Sequence, residues 1–155
     1  MSKPRLIFIA FAVAVIAMVQ SCEKEGGNRT NISQTGGTSS HKMGQNCMNC
    51  HVNGGEGAGW FNAAGTVYTA DSSSTYPNVV VKLYSPPDTL GNQVLVATIN
   101  GDAKGNFFTT ASINFGTGLY PEVTGAHGTK SMAATITQGA CNSCHGVSTG
   151  RLYTN

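Results

Sequence analysis

The sequence predicts a mainly β fold, an antiparallel β-sandwich carrying short helical flanks. Three observations support that expectation. Short segments rich in β-branched and aromatic residues follow one another along the middle of the chain. Turn residues bound each of them, and no helical pattern intervenes. All 20 glycines lie after residue 25, a proportion that favours turns and strands over long helices.

The chain opens differently. Lys3 and Arg5 precede an unbroken apolar run from Leu6 to Val19, and Ser21 stands before Cys22. A basic start, an apolar core and a small residue at the junction describe an export signal over residues 1–21. The apolar run is short for a membrane-spanning helix. Val19, Gln20, Ser21 and Cys22 together resemble the cleavage box of bacterial lipoproteins. That resemblance implies cleavage before Cys22 and lipidation of Cys22. The expected location is then the periplasmic side of a membrane or the cell surface, with the membrane as a partner through the lipid.

Removing residues 1–21 leaves 134, enough for one domain. The formal charge of +2 disappears with the signal, because seven Lys and Arg then balance seven acids. A nucleic-acid partner is excluded, since phosphate binding needs a basic surface. Residues 22–40 are rich in Gly, Ser, Thr and Asn and read as a flexible tether. Residues 41–155 then form the domain, with a sandwich core over 63–115 and flanks at 41–62 and 116–155.

The core segments come in order. Residues 65–69 open the series with Val67 and Tyr68. Residues 78–84 place Val79, Val81 and Leu83 on one face, as in a half-buried strand. Pro77 sits where proline is tolerated, at a strand entrance. Residues 94–99 and 106–110 complete the set, separated by turns at Pro86-Pro87-Asp88 and over 101–105. The succession of 65–68, 77–84 and 101–107 resembles carboxypeptidase regulatory-like (transthyretin-like) domains. The resemblance implies a β-sandwich without catalytic residues, of a kind that serves adhesive or structural roles.

Four cysteines remain after Cys22, and both pairs stand in C-x-x-C-H pentads: Cys47, Cys50 and His51, then Cys141, Cys144 and His145. This is the attachment signature of haem c. Cysteines three apart share one side of a helical turn and can each form a thioether with a vinyl group. The adjacent His is carried beneath the porphyrin as the proximal iron ligand. Two disulfides would suit an exported protein but leave both histidines unexplained. Zinc could take Cys and His ligands, yet six ligands overfill one site and underfill two. A thioredoxin-like redox pair would want a βαβ setting. Two covalently bound haem c groups are therefore expected, with His51 and His145 on the irons.

The distal candidates are few. His41 ranks first, six residues before Cys47; Met132 ranks second, on a helix-like run over 129–136 starting from a Thr cap. His127, in a glycine loop, ranks third. Met43 is close to the first pentad, whereas Met48 lies within it and reads as packing. Gly54 to Gly59 read as backbone passing close to the haem, with Trp60 and Phe61 shielding an edge. Neither flank can enclose a haem alone, so the sandwich is expected to bring both pentads together at one end.

The pentads resemble c-type cytochromes. That resemblance implies electron transfer, with other cytochromes or membrane electron-transfer complexes as redox partners and assembly with other cytochromes as a further option. Two different classes stand beside it. One is an adhesive or assembly module in which haem is structural. The other is a small dihaem peroxidase-like enzyme, for which only Glu56 and Glu122 offer acid–base chemistry.

Overall fold

The computed structural model describes residues 27–155. The expected export signal and the expected lipidation site, Cys22, lie outside the described residues. Among the described residues nine strands follow in order: β1 (Ala63–Thr66), β2 (Tyr68–Thr69), β3 (Val80–Tyr84), β4 (Leu95–Asn100), β5 (Asn106–Thr109), β6 (Tyr120–Gly125), β7 (Gly128–Ser131), β8 (Gly139–Ala140) and β9 (Tyr153–Thr154). The fold is mainly β, and its larger sheet, ordered β4-β3-β6-β7, is antiparallel throughout. A smaller sheet is ordered β5-β1-β8, with β1 antiparallel to β5 and parallel to β8. β2 and β9 form a parallel two-stranded pair.

One apolar cluster joins the sheets. Val79, Val81 and Leu83 lie on the buried face before and along β3, as their alternation requires. They meet Ile99 from β4, Val123 from β6, and Phe107 and Ala63 from the smaller sheet. Burying each large side chain contributes about 1.5–3 kcal/mol. An isolated bridge between Gly101 and Phe107 links the two sheets at the β4–β5 turn. The sheets do not close on each other elsewhere, and a cavity opens between them.

The described part of the expected tether departs from that reading. Residues 28–40 lie along the outer edge of β5. Ile32 forms a bridge with Thr109, and the Ser33 N–H donates to the Phe108 carbonyl at 2.9 Å. Ser33 is buried, and its hydroxyl donates to the Asn100 carbonyl at 2.6 Å. Ser40 is also buried. The polar composition that reads as flexible here supplies hydrogen bonds to distant backbone.

The helical flanks are also corrected. Each pentad contains one short 3-10 turn, Cys47–Asn49 and Cys141–Ser143, and no longer helix forms among the described residues. None is long and apolar enough to cross a membrane. Of the expected helical run over 129–136, residues 129–131 instead continue the second arm of a hairpin, and Ile136 forms a bridge with Leu119. Gly125 pairs with Gly128 across two turn residues, and Thr129 and Lys130 continue the ladder against Thr124 and Val123. Glycines on both sides of the turn and β-branched threonines outweigh the Thr cap.

Candidate functional site

The two pentads fold alike although their middle residues differ. In the first, the N–H groups of Cys50 and His51 both donate to the Cys47 carbonyl, at 3.2 and 3.0 Å. In the second, those of Cys144 and His145 both donate to the Cys141 carbonyl, at 3.3 and 3.0 Å. Local polar side chains hold each turn. The Asn46 side chain accepts the Met48 N–H, and the Ser143 hydroxyl donates to the Ala140 carbonyl at 2.6 Å. Each turn thus presents two thiols and one imidazole from five consecutive residues.

The two imidazoles are also oriented alike. His51 Nδ1 lies 3.2 Å from the carbonyls of Ala58 and Gly59. His145 Nδ1 lies 2.9 Å from the Gly150 carbonyl. A carbonyl only accepts, so these contacts assign the proton to Nδ1 and leave Nε2 with its lone pair. That is how a protein fixes the tautomer of a metal-ligating histidine. Phe61 stacks on the His51 ring at 4.1 Å between centroids, and Phe108 stacks on Phe61 at 4.9 Å.

Each pentad opens onto a cavity. The second adjoins one of about 450 Å³, which runs from Cys141, Cys144 and His145 to Val81, Leu83 and Ile99 on the inner face of the larger sheet. Its size falls within the usual range for cofactor sites. Met132 stands on its wall, together with Lys130 and Arg151. The first pentad adjoins a cavity of about 230 Å³ lined by Cys47, Cys50, His51, His41 and Phe61. The His41 and His51 ring centroids are 6.1 Å apart.

His41 and Met132 are thus each brought to one pentad, His41 to the first and Met132 to the second. His127 lines neither cavity; it is exposed at the β6–β7 hairpin tip, with its N–H bonded to the Asn155 carbonyl. Met43 is exposed and lines neither cavity, and Trp60 is likewise absent from both walls. The glycine run after the first pentad does pass closely over the His51 ring, at Gly57.

The pentads meet at β1, against which both turns pack. Thr66 makes the junction. Its N–H donates to the buried Asn142 side chain at 2.8 Å, its hydroxyl accepts the Gly44 N–H at 2.8 Å, and the same hydroxyl donates to Asn106 at 2.6 Å. Asn142 and Thr66 carry no signal in the sequence, because their importance lies in contacts between residues 76 positions apart. Burial pushes the Cys141 thiol up to about 12, and the charge of the nearby Cys47 pushes the same way. Burial also raises Cys47 above its ordinary value.

Each pentad can offer two sulfurs and an imidazole lone pair to a single ligand, and the apolar wall of the second cavity suits a flat, largely apolar molecule. All four described cysteines are free of disulfides. Among the described residues, no group of three or more His, Cys, Asp or Glu gathers as a site for a bare metal ion. No protein-family model, curated protein or solved structure matches the chain.

Proposed function

We propose that this protein transfers electrons through two covalently bound haem c groups, held by Cys47, Cys50 and His51 and by Cys141, Cys144 and His145. The observation that carries the reading is the repeated geometry. Two C-x-x-C-H turns each bind the His Nδ1 to a backbone carbonyl and leave Nε2 free beside a cavity. Haem iron supplies a one-electron ferric–ferrous couple. The chain's own residues orient the imidazoles, exclude water with Phe61 and Phe108, and keep the two attachment turns against one strand.

The cavities support a choice of distal donors. His41 would serve the first iron, and its 6.1 Å ring separation from His51 supports this. Imidazoles on opposite sides of one metal stand about 6 Å apart, given metal–nitrogen bonds of about 2.0 Å. Met132 would serve the second. Filled distal positions favour electron transfer over a peroxidase, and neither Glu56 nor Glu122 lines these two cavities. The protein acts as an exported lipoprotein acylated at Cys22. It exchanges electrons with redox partner proteins at the periplasmic side of a membrane or at the cell surface.

A reduced pyridine haem spectrum combined with the intact mass tests the reading. Two covalent haems are expected, with one lost on replacing Cys47 and Cys50 by Ser. Protein exported from a cell competent in haem attachment, yet free of covalent haem, would overturn it.

A further inference from the structure

The wall of the larger cavity carries two cations and no carboxylate. Lys130 stands in register with Val123 on the neighbouring strand, and opposed residues of an antiparallel pair project from the same face. Val123 belongs to the buried core, so Lys130 stands on the cavity side of an edge strand, with its side chain exposed. Its ammonium lies over the Tyr153 ring, 5.5 Å from the centroid.

Arg151 comes from the opposite side. Its guanidinium lies 4.3 Å from the centroid of the Tyr68 ring and donates to the Ser72 carbonyl at 3.1 Å. Tyr68 and Tyr153 are register partners in the β2–β9 pair. Two cations distant in sequence are therefore seated over adjacent rings, beside the cavity that ends at Cys141, Cys144 and His145. The other titratable groups on that wall are His145, Tyr153 and the two cysteines.

We propose that Lys130 and Arg151 bind the propionate carboxylates of the haem attached at Cys141 and Cys144. This rests on the reading that the second pentad carries haem c. Such a ligand is apolar across its ring and dianionic at one edge, and the cavity offers both complements. The apolar wall comes from Val81, Leu83, Ile99 and Phe107, and the cations stand on the same cavity. The Arg fork and the Lys point charge are the donors that recognise carboxylates.

The test uses the exported holoprotein with Lys130→Gln, Arg151→Gln and both together, titrated by potential and followed in the visible spectrum across a pH series. In the unaltered protein the second haem's potential is expected to stay flat through the carboxylate range, because the cations keep the propionates ionised. In the double variant one of the two waves moves to lower potential and gains a pH dependence there, because a propionate without its cation is protonated at higher pH. Arg151→Lys and Lys130→Arg keep the original profile, and Lys82→Gln on the outer face of the same sheet changes neither wave.

Unchanged waves in a folded double variant overturn the inference while both haems remain attached. Lys130 would then be a charge that guards a sheet edge against pairing. Absence of covalent haem fails the underlying reading instead. If the glutamine variants do not fold, the unaltered protein decides: a profile that slopes through the carboxylate range in both waves overturns the proposal.

Discussion

Gly57 approaches the His51 ring so closely that a Cβ there would stand 2.6 Å from its Cγ and Nδ1. The glycine loop therefore acts as a template for one imidazole, with no room for a side chain. Gly57→Ala should displace the ring and break its bonds to the Ala58 and Gly59 carbonyls. The expected result is altered ligation at one haem only, with the second unaffected. Spectra unchanged at both irons would show that the ring can move without consequence.

The distal assignments separate by site. His41→Ala should open the first iron to carbon monoxide and Met132→Ala the second, each leaving the other low-spin. His127→Ala should do neither. Bis-imidazole iron at the first pentad should also titrate below the His–Met iron at the second. Carbon monoxide binding to the unaltered ferrous protein at either haem would contradict this pairing.

Asn142→Ala removes the acceptor of the Thr66 N–H and leaves a buried donor unpaired. The cost is about 1–3 kcal/mol, read as a thermal midpoint lower by several degrees. The haem count should be unchanged. A melting curve that overlays the original would mean that Thr66 finds another partner.

The Cys141 thiol has a sharp signature in chain made without haem attachment. With its pKa at about 12 against an ordinary 9.0, its thiolate fraction near pH 8 falls roughly a thousandfold, and alkylation slows with it. The sign for stability is set by the same shift. A pKa raised on folding contributes stability that is fully present below pH 9.0 and is lost as pH rises toward 12. Cys141→Ser should flatten that alkaline loss. Peptide-resolved mass spectrometry of alkylated protein, with melts at pH 8 and 11, checks both halves.

Much of the sandwich is legible in the sequence because local pattern and burial coincide there. Val79, Val81 and Leu83 alternate as a strand requires and are buried as a row. β6 and β7 are harder to see. Pro121 and Glu122 break any alternation in the first, and all four residues of the second are exposed. Their pairing is set by the hairpin between them. β8 and β9 are two-residue pieces that exist only through parallel partners more than seventy residues away. The pentads stand out by residue type and spacing, yet which of His41 and Met132 lies beside which pentad depends on tertiary placement. Met132 reaches its cavity from the end of a strand, where sequence suggested a helix.

The edge strap has a consequence for how far this domain can travel. Asn28 already holds Trp60 through both its side-chain groups, at 2.9 and 2.6 Å. In a chain acylated at Cys22, only the six residues to that point remain as a leash. At about 3.3–3.6 Å per residue, fully extended, the leash measures about 20 Å. The domain would be confined to a layer next to the lipid headgroups. Its redox partners would then have to be lodged in that membrane or brought down to it.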